Sequence, residues 1–280
     1  MDRRWFIIPL VFLVVVVISS AYIPKQEQVP ISVGSDLLIH PLAPDVWQVE
    51  HRFPWPANSL LVRMDEKDFV LVDTPQDVSG TEDLLRWIDK QFGKSTRLTV
   101  INTHFHSDCL GGNSVLLKRG CTVIGSDRIA PLLKERGEKC RTRTVDFLKR
   151  QNRTDFERII ESYRSTPYKP PNLAVNLKRP VTFYIASQPV ALYFPGAGHS
   201  LDNIVVYFNR KHVLFGGCLI KALNAQRLGN VDDGDVAAWP QSVRNVIARY
   251  PAVKTVIPGH GAAGDRSLLL HTVALVDSLQ

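Results

Sequence analysis

The chain has 280 residues, 45% of them hydrophobic and 22% charged, which is enough apolar material for a substantial core and excludes a disordered chain. Its four cysteines, Cys109, Cys121, Cys140 and Cys218, are too few to build a disulfide scaffold of this length, so the core must carry the fold. The formal net charge of +7 favours anionic ligands. No interleaving of basic and aromatic residues points to nucleic acid, and no such partner is expected.

At the N-terminus Arg3 and Arg4 precede an apolar run from about Trp5 to Ile18, which ends in the small residues Ser19, Ser20 and Ala21. Positive start, apolar run and small-residue end read as a secretory signal peptide over residues 1–21; the run is shorter than the ~20 residues a membrane-spanning helix needs. Residues 22–280 are then read as one exported, periplasmic domain. Losing Arg3, Arg4 and Asp2 removes two positive charges and one negative, leaving +6. A Cys121–Cys140 bridge is chemically allowed in that compartment, but spacing does not decide between it and two free thiols.

From Leu37 to Thr74 short apolar runs alternate with turn residues (VWQVEH, SLLVRM, FVLVDT), the pattern of antiparallel strands and hairpins. Between them lies RFPWPAN. Pro54 and Pro56 prevent it from continuing a ladder, so it is expected to project as a stiff loop tipped by Phe53 and Trp55. Leu84, Leu85, Trp87 and Ile88 recur at helical spacing between about Gly80 and Phe92, and Gly93 stops them. RLTVIN, near Arg97–Asn102, is a buried strand running directly into THFHSDCLGGN. A short helix near Asn113–Arg119 and the strand CTVIGS follow.

Residues from about 128 to 168 form a long, highly charged helical stretch, with Leu132, Leu133, Val145, Phe147, Leu148, Phe156, Ile159 and Ile160 as its apolar positions. It reads as helices packed on one face, with its lysines and arginines solvated or in weak contact with an anionic membrane surface. Further strands are expected at VTFYIA, VALYFP, NIVVYF, HVLFGG and KTVIPGHG, with helices near Val236–Tyr250 and Asp265–Leu279. With no short repeat and no low-complexity linker, the pattern implies an α/β sandwich of two fused halves.

The chemistry concentrates at the strand ends. His104, His106 and Asp108 offer three metal-ligand types in five residues, just past a strand's C-terminal end, where α/β sheets commonly place their sites. His199 in GAGHS, Cys218 in FGGCLIK and His260 in PGHG follow other buried strands, each beside glycines that let backbone approach closely. His40, His51, His212 and His271 have no such context and read as structural or surface histidines. A thiolate among these ligands suits zinc better than magnesium or calcium.

The succession H-x-H-x-D, GHSLDNIVVYF, LFGGCLIK, LGNVDD..AWPQSV and VIPGHG resembles the metallo-β-lactamases of subclass B1, over most of the mature chain. The long segment after Arg128 resembles a carbapenem-hydrolysing branch with an enlarged central helical region. The resemblance implies a four-layer αββα sandwich with two zinc ions per chain at the edge of the two sheets. His104, His106 and His199 would hold the first zinc, and Asp108, Cys218 and His260 the second. Hydrolysis would proceed by attack of zinc-bound hydroxide on the lactam carbonyl of antibiotics including carbapenems, with Asp108, Lys221 and Asn230 carrying catalysis. Lys221 would pair with the carboxylate that β-lactams share, Asn230 would donate to the lactam carbonyl oxygen, and Phe53 and Trp55 would form a substrate-covering flap. β-Lactams are the implied partners, and a monomer is expected.

Cys109 departs from the family pattern and is expected beside the metals with no assigned role; Asp73 is either a supporting residue or an ordinary strand-end turn. Thioester hydrolases of the glyoxalase II kind, in the same superfamily, usually carry a second His after the Asp and a bridging Asp, where this chain has Cys109 and Cys218. A non-catalytic periplasmic zinc binder is the other alternative; it would leave Lys221, Asn230 and the aromatic loop without purpose.

Overall fold

The computed structural model describes residues 29–166 and 168–279; the signal peptide read over residues 1–21 lies outside them. Five antiparallel strands open the chain: β1 (Ile31–Val33), β2 (Leu37–Ala43), β3 (Val46–His51), β4 (Ala57–Arg63) and β5 (Asp68–Val72). Three parallel strands, β6 (Arg97–Ile101), β7 (Thr122–Ser126) and β8 (Leu173–Val175), complete an eight-stranded sheet in sequential order. The second sheet holds β9 (Val181–Ile185), β10 (Gln188–Tyr193), β11 (Val205–Phe208), β12 (Val213–Gly217) and β13 (Thr255–Pro258), the last parallel to β12.

The parallel pairs need crossovers, which helices supply. These helices are α1 (Val78–Phe92), α2 (Ser107–Leu110), α3 (Asn113–Lys118), α4 (Ile129–Arg150), α5 (Glu157–Ser165), α6 (Trp239–Arg249) and α7 (Ser267–Asp277), with a 3-10 turn at Thr154–Phe156. Asp77 starts α1, its carboxylate accepting from the Gly80 N–H at 2.7 Å. Gly93, at φ 90°, ends it.

Side-chain alternation sorts the strands into layers. Leu60, Val62, Val70 and Val72 face the gap between the sheets, where they meet Val190, Leu192, Val206, Phe208, Val213 and Phe215. Their neighbours Leu61, Phe69 and Leu71 point the other way, onto Leu84, Leu85, Trp87 and Ile88 of α1. In the second sheet Val205, Tyr207 and Leu214 likewise face Trp239, Val243 and Val246 of α6 and Leu269 of α7. Strands buried on both faces explain the near-continuous apolar runs of the sequence. The order helix, sheet, sheet, helix is the αββα sandwich that the sequence implied.

The expected strands and helices are all present. Three elements had no counterpart in the sequence reading: β1 and β8, three residues each, and α2, a single turn inside the HxHxD motif. Elements this short carry too few residues to show a period. The four cysteines are all free. Cys121 sits under α1 and α3, while Cys140 packs with Leu132 and Leu133 of α4, so the two thiols belong to different clusters.

The charged stretch after Arg128 folds as α4, the 3-10 turn and α5 around a small core of its own, in which Val145, Leu148, Phe156, Ile159 and Tyr163 are buried. Its partners from the rest of the chain are aromatic: Phe53 stacks edge-on to Phe156 at 5.4 Å and Trp55 to Phe147 at 6.2 Å between centroids. The projecting loop predicted at RFPWPAN therefore docks on this insert, and its Phe53–Pro54 peptide is cis.

Two truncations should behave differently. Leu60→Ala, in the shared core between the sheets, is expected to lower global stability by about 2–5 kcal/mol, read from the urea midpoint. Leu148→Ala should open the α4–α5 insert before the sandwich unfolds, seen as hydrogen exchange faster in α4 and α5 than in β4; uniform acceleration would show that the insert has no separate core.

Candidate active site

Four loops at one edge of the sandwich supply the site, and each is held by a specific polar contact. Asp73, just past β5, takes a left-handed φ of 56°. Its carboxylate accepts from the Thr103 N–H at 2.7 Å and the Thr103 hydroxyl at 2.6 Å. Burial pushes the Asp73 carboxyl up to about 7, against those hydrogen bonds, which favour the charged form. Asp73 thereby anchors the loop at the residue before His104.

His104 is completely enclosed, with Nδ1 3.1 Å from the Thr103 hydroxyl and 3.0 Å from Cys109 Sγ. Its Nε2 faces the other way, 3.8 Å from an Asp108 oxygen. His106 turns Nδ1 toward His199 Nε2, at 3.1 Å, while its Nε2 lies 3.3 Å from Asp233 Oδ2. The GAGHS loop that carries His199 is tied by Asn203, whose amide donates to the Gly196 carbonyl at 2.9 Å and whose Oδ1 accepts from the Ser200 N–H at 3.0 Å. The Ile204 N–H donates to the Thr103 carbonyl, joining this loop to the first.

Cys218 follows Gly217, which adopts φ 54° to turn the chain out of β12. Gly259 lies against it so closely that an added Cβ would fall 2.5 Å from Cys218 Sγ, and this accounts for the glycine in PGHG. Cys218 Sγ is 3.3 Å from Asp108 Oδ2 and 3.3 Å from His260 Nε2. His260 Nδ1 donates to the Pro56 carbonyl at 2.7 Å, so the aromatic loop itself fixes the ring and leaves Nε2 facing Asp108 and Cys218.

The donor atoms of His104, His106 and Asp108 lie within 4.8 Å of one another, as do those of Asp108, Cys218 and His260, and those of His104, His199 and Cys218. Burial, reinforced by the neighbouring His106 ring, lowers the His104 pKa to about 3. Burial also holds His199 well below its usual value, with His104 adding to the effect. Burial alone would raise Asp108, but the hydrogen bond from His260 and the charge of His104 hold it well below the usual carboxylate range. Burial and the adjacent Asp108 push the Cys218 thiol well up. Neutral imidazoles beside a carboxylate and a thiol awaiting a counter-charge fit a bound divalent metal, and the buried His199 Nδ1 has no hydrogen-bond partner among the described residues.

All six ligands predicted from sequence thus converge. Lys221 is buried rather than a surface lysine, with its Nζ 5.1 Å above the Trp239 ring, and burial lowers its pKa against the pull of Cys218 and Asp108. Asn230 lines the same cavity from an exposed loop, its Oδ1 accepting from the Asp232 N–H at 3.3 Å. Trp55 also lines the cavity. Phe53 turns away into the insert's core, between Phe156 and the Arg158 guanidinium, so the structure brings only one of the two flap aromatics to the site. Cys109 is buried behind His104 and supports its Nδ1 from the side away from the cavity.

Sequence reasoning missed one group, Asp233 with Cys140 and Arg143. Arg143 donates to Asp233 at 2.8 Å and to Asp232 at 2.9 Å, and Cys140 Sγ lies 3.3 Å from the Asp233 carboxylate. The hydrogen bond from His106, followed by that from Arg143, holds Asp233 well below the usual carboxylate range despite its burial. Asp233 stands in the LGNVDD motif, but nothing local in the sequence pairs it with a helix some 90 residues earlier. The insert read as solvated, or as facing a membrane surface, therefore forms one wall of the site, a cavity of about 830 Å³.

The sequence model of the Metallo-beta-lactamase superfamily matches residues 52–260, which run from the start of the aromatic loop to the last metal-ligand candidate. Among curated proteins, a Metallo-beta-lactamase type 2 of Bacillus cereus is 35% identical over 222 residues, covering 79% of this chain and 73% of that one. One of Bacteroides fragilis is 30% identical over 274 residues and 95% of each chain. Among solved structures, a metallo-beta-lactamase from Pontibacter korlensis superposes with a TM-score of 0.71 at 32% identity, covering 86% of this chain and 99% of that one. Since the family match spans all six candidate metal ligands and the likeness covers 73–99% of each of these relatives, the chain belongs to the metallo-beta-lactamase superfamily, a family whose name implies bound metal.

Proposed function

We propose that this protein is an exported β-lactamase that opens the amide bond of β-lactam antibiotics, carbapenems among them, using two zinc ions. The observation that carries this reading is the Asp108–Cys218–His260 group standing next to three histidines in one cavity with Lys221. The relatives named Metallo-beta-lactamase type 2 support the activity. The thiol in the ligand set favours zinc over harder ions. His104, His106 and His199 would hold one ion, and Asp108, Cys218 and His260 the other. Zinc there would lower the pKa of water to about 7 and polarise the lactam carbonyl.

The chain's own residues do the rest. Lys221, a compact positive charge on the cavity wall, takes the carboxylate that β-lactams carry beside the lactam nitrogen and so sets the ring over the ligand cluster. Asn230 uses its Oδ1 to brace the Asp232 backbone, which leaves its amide hydrogens free to donate to the carbonyl oxygen. Trp55 covers the substrate's apolar substituents and excludes water. Asp233 holds His106 by Nε2 and so keeps its Nδ1 turned toward the cluster.

Two measurements test these assignments. Purified protein should contain two zinc equivalents per chain and lose carbapenem hydrolysis on chelation. Cys218→Ala should retain one equivalent; two equivalents in the variant would remove Cys218 from the ligand set. Lys221→Ala should raise KM about 10- to 100-fold, the size expected for a charged hydrogen bond of ~1.5–3 kcal/mol, with a smaller effect on kcat. An unchanged KM would remove its role in carboxylate binding.

A further inference from the structure

The side of α4 that faces the cavity is not the side that packs the insert's core. Cys140, Arg143, Phe147 and Arg150 follow one another at three- and four-residue steps and all line the cavity, with Arg141 beside them; Val145 and Leu148 point into the small core instead. The helix spans the site: Arg143 is fixed to Asp232 and Asp233 at the Asn230 loop, and Phe147, one turn on, is stacked on Trp55 at the aromatic loop. Arg150 lies one turn further, on the aromatic-loop side, whereas Lys221 sits against Trp239.

The charge on this wall is one-sided. Arg141, Arg143, Arg150 and Arg153 all line the cavity, and among the described residues the one carboxylate doing so is Asp108, a candidate ligand. Arg143 is matched by Asp232 and Asp233, Arg141 by Glu138 and Arg153 by Asp155. The Arg150 guanidinium makes no ion pair or hydrogen bond among the described residues. A cavity of about 830 Å³ exceeds what a fused β-lactam nucleus fills and leaves room for the acyl side chain along α4.

We propose that Arg150 forms a subsite for a second anionic group, so that the enzyme favours β-lactams whose acyl side chain carries a carboxylate. This inference rests on the β-lactam reading and adds a specificity determinant to it. A guanidinium fork pairs a carboxylate with two parallel hydrogen bonds, and Arg150 need break no existing partner to do so. Lys221 would hold the carboxylate of the nucleus while Arg150 holds that of the side chain, the two ends of one dianion gripped across the ligand cluster. Phe147, one turn before Arg150, and Trp55 stacked on it both line the cavity and suit an aryl group at the branch carbon.

The test compares benzylpenicillin with its derivative bearing a carboxylate on the benzylic carbon, using the zinc-loaded full-length mature protein. The readout is the ratio of kcat/KM for the dianion to kcat/KM for the monoanion. Arg150→Ala should lower that ratio about fivefold or more, Arg150→Glu should lower it further, and raising the salt should shrink the difference between variants and native protein. A ratio within twofold of native in both variants overturns the subsite while leaving the β-lactamase reading in place. Failure of the native protein to hydrolyse either penicillin overturns both. Arg150 is exposed at the end of α4, so melting curves that match the native one confirm that the ratio reports binding rather than folding.

Discussion

The face-to-face packing of the two sheets is the constraint on which the site depends. The candidate ligands come from the loops after β6, β10, β12 and β13, which lie in different sheets, and their donor atoms gather in threes within 4.8 Å because Val62, Val72, Val206 and Phe215 lock the sheets together. Cross-links at the edge hold the final geometry. The Asn58 amide donates to the Pro258 and Gly261 carbonyls, tying β4 of one sheet to the loop of His260 on the other. The Ile204 N–H reaches the Thr103 carbonyl in the same way. A loss of inter-sheet packing would therefore be felt as a loss of metal geometry before any ligand is changed.

Around the ligands, the protein uses buried polar contacts to decide which ring nitrogen faces inward. His104 rests its Nδ1 on Thr103 and Cys109, His260 gives its Nδ1 proton to the Pro56 carbonyl, and His106 meets Asp233 through Nε2. Each contact consumes one nitrogen and presents the other. The same contacts connect the site to outlying parts of the fold: Pro56 belongs to the aromatic loop, and Asp233 is shared with Arg143 of α4. The insert is thus mechanically part of the site, though its core is its own.

That coupling changes the meaning of the basic segment. A helix can be solvated on most of its circumference and still give one stripe to a functional surface, and in α4 the stripe that lines the cavity is cationic and aromatic rather than apolar. The aromatic loop cannot move as a free flap while Phe53 and Trp55 are stacked on Phe156 and Phe147. Loop and insert form a joint roof, and the loop's own carbonyls are held from below, Trp55 by the Gln76 amide at 2.7 Å and Pro56 by His260.

Much of this was legible in the sequence. The alternating strands, the apolar period of α1 and the strand-end motifs are local signals, and local signals survive without coordinates; they pointed to the sandwich and to the six candidate ligands. Resemblance of the motifs to a known family supplied roles that residue types alone could not. What the sequence could not determine were contacts between distant segments: Arg143 with Asp233, Phe53 facing away from the cavity while Trp55 lines it, and Cys109 standing behind His104. A charged helix has the same composition whether its arginines meet water, lipid or a substrate cavity. Only tertiary packing chooses which of its faces is turned inward, because that choice is made by partners some 90 residues away.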